Sequence, residues 1–395
     1  MRLRVLILSI VSFACSGLVR ASEADALAIS ANIQARHVPY GTILDPVLSS
    51  DGTQVASYTR CGDSALWTGH YLAAESFRYR VTNAPDALRN VRGALAGLRF
   101  LVDVTGTGLL ARCAVPVESP YAKDLTSEES SHGIHVTTGD SGAWYWIGDT
   151  SRDQYSGVFF GLSVAFDMVD DAKVQADAAG LVTQMLDFLT DSGWNVVMPR
   201  GEISTTFLIR PDQQLALLQI GQHVNRARFG SSYSRLSAAL AIGTPVPAGI
   251  DAIDDHDSYF KFNLDHINLY SLIRLQGSGI ARFWYDRAWD LVHDAVNGHG
   301  NAHFNMIDRA LHGADARRDA ETRQLLEAWL KRPRTDVPVD LRGTVPSCGS
   351  PDQACTPLPV QRRMTTDFLW QRSPFQLTGG GSGTIEGAGI DYILP

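Results

Sequence analysis

Three short stretches set carboxylates beside aromatic rings just ahead of a helical pattern. "GDSALWTG" carries Asp63 and Trp67, with His70 and Tyr71 in the turn that follows. "GDTSRDQYSG" carries Asp149, Asp153 and Tyr155, and "DDHDSYFKFNLDH" carries Asp255, His256, Tyr259, Asp265 and His266. An aromatic face stacks on the apolar side of a sugar ring, acids grip its hydroxyls, and two carboxyl groups can share acid and base work. On this reading Asp63 and Asp153 are the catalytic candidates and Asp149 the substitute for either. The plain alternative for an acid at a helix start is an N-cap, worth about 1 kcal/mol.

Other residues offer different chemistry. His132 and His135 in "SSHGIHV", and His293, His299 and His303 in "VHDAVNGHGNAHF", are a rival centre. Their spacing matches no well-specified zinc or copper motif, so no metal is expected. A lyase would instead use His or Tyr as base and acid, with Arg or Asn neutralising a uronate carboxylate. Arg112, His135, Tyr145, Asn263 and His266 are available for that. The run "SGAWYWIGDTSRDQY" gathers Trp144, Tyr145, Trp146 and Tyr155, either to bind a flat ligand or as a buried plug. "LTGGGSGTIEGAGIDY" lacks a P-loop lysine and follows no strand, so no nucleotide and no other cofactor is expected, and Glu386 opens a last helix as cap or substrate contact.

Elements must position these groups. Apolar residues at helical spacing predict helices over 23–36, 64–81, 86–104, 154–169, 174–192 and 212–225, then 232–241, 262–276, 281–296, 302–311 and 319–331. A twelfth begins near Glu386. Short turns alternate with long connections at 37–63, 105–153, 193–211, 242–261 and 332–385, and strand-like pieces such as "GAWYWIG" and "ISTTFLI" lie within the latter. Twelve helices in antiparallel pairs predict an all-α fold, an (α/α)6 toroid of six hairpins whose long loops share one face and build a cleft there. Trp67-Thr68-Gly69 and Tyr155-Ser156-Gly157 repeat an aromatic–hydroxyl–glycine step. A glycine early in a helix costs about 1 kcal/mol relative to alanine. Its presence twice predicts close packing of neighbouring inner helices.

"MRLRVLILSIVSFACSGLVRA" reads as a signal peptide over residues 1–21, leaving 22–395 as one secreted or periplasmic domain. Four cysteines then remain and allow three pairings; the short loop "CGSPDQAC" favours Cys348–Cys355, with Cys61–Cys113 as the other bridge. The formal net charge is −8 with no basic block, which argues against a nucleic-acid partner. No later stretch offers about 20 consecutive apolar residues, so no membrane span is expected.

In this layout, with a leader peptide and with acids and aromatics at the inner-helix starts, the chain resembles the secreted (α/α)6-toroid enzymes that act on carbohydrates. Glycoside hydrolases, unsaturated uronyl hydrolases and toroid polysaccharide lyases are among them. The resemblance implies an exported enzyme acting on an oligo- or polysaccharide, with hydrolysis ahead of elimination or epimerisation. A toroid dehydratase acting on a non-sugar substrate and a non-catalytic glycan-binding ring are the other classes.

Overall fold

The computed structural model describes residues 22–331 apart from positions 50, 52, 140, 141 and 254–258, together with 339–340, 357, 359–360, 363, 374 and 384–385. The leader, Cys348, Cys355, the helix expected near Glu386, Asp255 and His256 lie outside the described residues.

The fold is mostly helical, and burial divides the helices into two kinds. Every residue of α5 (Arg152–Met168) from Gln154 to Ala165 is buried. The same holds for Asp212–Gly221 of α7 (Pro211–Val224) and for Lys261–Ile273 of α10 (Phe260–Leu275). A helix buried all round must be surrounded by other elements. By contrast α3 (Pro85–Asp103) buries one stripe, Ala87, Val91, Ala94, Leu98 and Leu101, and α6 (Ala172–Asp191) buries Val174, Ala178, Leu181, Met185 and Leu189. This three-to-four spacing is that of a helix packed on one side only.

Successive helices pack in pairs. α2 (Ser64–Thr82) pairs with α3, α5 with α6, α7 with α8 (Arg226–Leu240), α10 with α11 (Ile280–Val296), and α12 (Ala302–His312) with α13 (Ala316–Leu330). Proline at the first turn opens α3 and α7, where its missing N–H is no loss. Asp171 caps α6 and Asp315 caps α13 through their side chains.

The inner helices run in the same direction. At one end, Gln154 of α5 reaches the start of α2, donating from Nε2 to Asp63 at 2.9 Å and accepting from the Leu66 amide at 3.0 Å. Arg210, just before α7, holds Asp265 of α10 at 2.8 Å. At the other end, Asp167, His223 and Arg274 close α5, α7 and α10 together. The connections 37–63, 105–153 and 193–211 therefore feed the N-terminal end. They carry a hairpin of β1 (Asp45–Leu48) and β2 (Val55–Thr59), and an antiparallel sheet in which β5 (Gly142–Ile147) lies between β3 (Cys113–Pro116) and β4 (Ile134–Gly139). A second hairpin joins β6 (Asn195–Val197) to β7 (Ile203–Thr206).

The glycine step is a packing device. A Cβ on Gly69 would lie 2.1 Å from the Gly157 carbonyl oxygen, and one on Gly161 would lie 2.2 Å from that of Gly69. α2 and α5 thus cross backbone to backbone.

Several boundaries depart from the sequence reading. α1 (Glu23–Asn32) gives way to a wider turn over Ile33–His37. α8 begins at Arg226, six residues before its expected start, because Asn225 caps it by accepting from the Arg228 amide. Residues 122–128 and 245–253, read as loop, form α4 (Ala122–Glu128) and α9 (Pro245–Ile253). The stretch "PVPAGIDAI" hides its helix because proline and glycine dilute the pattern, while packing against α11 holds it. By length and composition alone Arg226–Ile253 is apolar enough to cross a membrane. Here its two helices pack on α7 and α11.

Candidate functional site

The turn before α2 is held from several sides. Arg60 adopts a left-handed backbone at φ 53°, and its amide donates to Glu128. The Gly62 amide donates to Glu129 Oε1 at 2.7 Å, and a Cβ there would strike that carboxylate at 2.6 Å. Cys61 is bonded to Cys113, so the residue two before Asp63 is tied to the residue after Arg112. Asp63 itself occupies the N-cap position yet makes no capping hydrogen bond. Its carboxylate accepts from Gln154 and lies 3.8 Å from Arg112 Nη1, with 38% of the side chain exposed. The first-turn amides of α2 are met instead from outside, that of Ala65 by the Arg112 carbonyl at 2.9 Å and that of Leu66 by Gln154.

Arg112 is fixed from behind: its Nε donates to the Asp149 carbonyl at 2.9 Å and its Nη1 to the Gly62 carbonyl at 3.0 Å. Asp149 presents that carbonyl from a left-handed backbone at φ 48°, and its own side chain is exposed. Asp153 sits in the first turn of α5, beside Gln154. Burial pushes its carboxyl above the usual range, against the opposing pull of Arg112, Arg152 and Arg210. Arg112 thus acts on both acids. Arg152 reaches sideways, donating to Thr205 Oγ1 and the Thr206 carbonyl, and Ser204 Oγ donates to the Thr150 carbonyl.

Deeper along the same end is a second polar layer. Arg210 holds Asp212, Asp251 and Asp265, each at 2.8 Å. Burial raises Asp265 well above the carboxylate range. His70 and His266 lie on the second turns of α2 and α10 and His303 on the first turn of α12, and burial lowers all three, His70 to about 4 and His266 to about 3. Their rings are therefore neutral near pH 7. Nδ1 of His70 contacts the Leu66 carbonyl at 3.1 Å and that of His266 the Phe262 carbonyl at 2.6 Å. A carbonyl only accepts, so both Nδ1 atoms carry the proton and both Nε2 atoms keep a basic lone pair. The His70 ring lies 5.1 Å from Trp67 and 5.9 Å from His303.

The remaining candidates are distributed unevenly. Trp67 is buried beside His70, and His266 stacks on Phe304 at 3.8 Å. Tyr155 is fully buried, with its hydroxyl accepting from the Leu110 amide, and Tyr259 is buried against Phe262 and Phe304. Trp144 packs on Phe100 at 4.5 Å. Trp146 is buried, stacks on His135 at 4.0 Å and donates to Thr137, while Tyr145 is half-buried against the small cluster around the disulfide. The aromatic run therefore largely packs the sheet into the body. His132 bonds Glu129, so it and His135 face different partners.

Sequence reasoning missed Gln154 and Arg210. Gln154 follows a candidate acid and carries no signal of its own. Arg210 could be noticed only as the residue before the Pro-Asp opener of α7. No family model, curated protein or solved structure matches this chain.

Proposed function

We propose that this protein is an exported glycan-active enzyme of (α/α)6-toroid type, a glycoside hydrolase with Asp63 and Asp153 as its carboxylate pair. One observation carries the reading. The two acids come from adjoining helix starts and answer to the same Arg112, yet their surroundings differ: Asp63 is exposed between two donors, whereas burial favours the protonated form of Asp153. Two carboxyls held in unlike environments are what glycoside hydrolysis needs, one to deliver a proton to the leaving oxygen and one to activate water or attack carbon. Asp153 takes the acid role and Asp63 the base or nucleophile role.

The test is a screen of the purified protein against neutral and uronate polysaccharides, read by reducing ends and by ultraviolet absorbance. Reducing ends that vanish in Asp63→Asn, with the fold retained, support hydrolysis. A product absorbing in the ultraviolet supports elimination instead. That second reading draws on His70 and His303, imidazoles that burial holds unprotonated near pH 7.

A further inference from the structure

The stretch from Arg226 to Ile253 is apolar, yet only 28% of its most apolar part is buried. What it leaves in solvent lies on one side. Ile242, in the turn Ala241–Gly243, and Val246, Ile250 and Ile253 of α9 are 58% to 78% exposed. Their spacing of four, four and three is that of one helical face. α11 widens it. The Thr244 hydroxyl donates to the Trp284 carbonyl at 3.4 Å, and a Cβ on Gly249 would touch Leu291 Cδ1 at 3.6 Å. The two helices therefore lie side by side and point the same way, with Leu291, 42% exposed, next to the stripe. Single exposed aliphatic residues need no account, but a row of them across two packed helices marks an interaction surface.

The charges around this face have a polarity. The chain carries none from residue 236 to residue 250, and the exposed Arg235 stands before the first isoleucine. Asp251 is buried on Arg210. On α11, Arg282 pairs with Asp286 and Arg287 with Asp290, so those four neutralise one another. Asp294, one turn beyond Leu291, is exposed, and in sequence Asp254 and Asp255 follow Ile253. One end is thus basic and the other acidic. An anionic lipid surface would meet the acidic end, and a chain of net charge −8 is not drawn to one. A sugar would stack on aromatic faces, whereas this row is aliphatic. A second copy of the chain suits both features. Turned about a two-fold axis, it lays the same stripe on this one, antiparallel, with its acidic end against this basic end.

We propose that the α9–α11 face joins two copies of this chain in a two-fold dimer. Ile242, Val246, Ile250, Ile253 and Leu291 form its core, and the Arg235 end of each copy faces the Asp294 end of the other. Two helices about 8–10 Å apart over a length of about 17 Å give an apolar core of roughly 300 Å². With the charged ends and rim included, the contact reaches about 600 Å² per copy, the low end for a specific interface. A contact of that size implies a reversible dimer, with a dissociation constant on the order of 10 μM. It uses neither acid of the carboxylate pair, so it stands or falls independently of the glycan-active reading.

The experiment is sedimentation velocity of the full chain from about 1 to about 100 μM, with hydrogen exchange at both ends of that range. Reversible dimerisation is expected, and the amides of 242–253 should exchange more slowly at the higher concentration. Ile250→Asp should weaken the dimer at least about tenfold. Arg235→Glu and Asp294→Arg should each weaken it, and the two together should restore it, because the swap exchanges the charges of the two ends. If Ile250→Asp fails to fold, the exchange data and the charge swap decide the matter. A monomer throughout the range overturns the inference. Exchange over 242–253 that is equally slow at both concentrations would then assign the face to residues 332–395 of the same chain, and capture by phosphatidylglycerol vesicles would assign it to lipid. Open-ended association, or a double swap as weak as the single variants, also overturns it.

Discussion

Replacing Gly69 by alanine tests whether the crossing of α2 and α5 sets the geometry of the acids above it. In an exposed helix position alanine is favoured over glycine by up to about 1 kcal/mol. Gly93 on α3 is such a position, because a Cβ there meets nothing within 4 Å. At Gly69 the added Cβ would sit 2.1 Å from the Gly157 carbonyl oxygen and 2.8 Å from the Val158 nitrogen. Both are backbone atoms and cannot swing aside, so the helices must part by roughly an ångström or more before ordinary contact is restored. Overpacking of that kind costs roughly 1–3 kcal/mol. Parting also stretches the Gln154–Leu66 bond of 3.0 Å, which contributes about 1 kcal/mol. The expected result is a loss of roughly 2–4 kcal/mol for Gly69→Ala and a gain of roughly 0.5–1 kcal/mol for Gly93→Ala, read from guanidinium midpoints at unchanged slope. Should Gly69→Ala prove as stable as Gly93→Ala, the close crossing is not a constraint and the placement of Asp63 against Gln154 loses its physical basis.

Three further outcomes are expected. Asp63→Asn keeps an acceptor for Gln154 and weakens a long contact to Arg112, so its stability should change by less than about 1 kcal/mol while turnover falls by orders of magnitude; normal turnover on a substrate of the natural enzyme would return Asp63 to a structural role. Loss of the Cys61–Cys113 bridge, which spans 52 residues, should cost roughly 2–5 kcal/mol and lower activity further than stability alone explains, as checked by denaturation and rate measurements on the Cys61→Ser, Cys113→Ser variant. His266 is held neutral by burial, its folded value of about 3 lying below the ordinary 6.5. Below pH 6.5 the unfolded chain takes up a proton that the fold refuses, so stability falls as pH drops from 6.5 towards about 3, by roughly 1.4 kcal/mol per unit. His266→Phe should flatten that dependence, and identical pH profiles for the two proteins would contradict the assignment of a neutral buried ring.

Much of the scaffold is written locally. The apolar stripe of α3 and the proline openers of α3 and α7 follow from residue order, because helix periodicity and first-turn chemistry involve neighbours only a few positions apart. The glycine step also announced a close approach, since two early helix glycines are unfavourable without one. Asp63 and Asp153 were legible as acids at helix starts, and Cys61–Cys113 as one of several pairings. Where the side chains turn was settled by the tertiary structure. The choice between cap and site acid at Asp63 depends on Gln154, 91 positions away, and on Arg112, whose direction is set by carbonyls of Gly62 and Asp149. The aromatic run around Trp146 reads the same whether it binds a ligand or plugs a sheet; only packing against Phe100 and His135 distinguishes the two. Burial is likewise invisible along the chain, yet it raises Asp153 and Asp265 and lowers His70 and His266. Local order chooses which residues are present at a helix start. Their charge state depends on how much water the rest of the chain leaves around them.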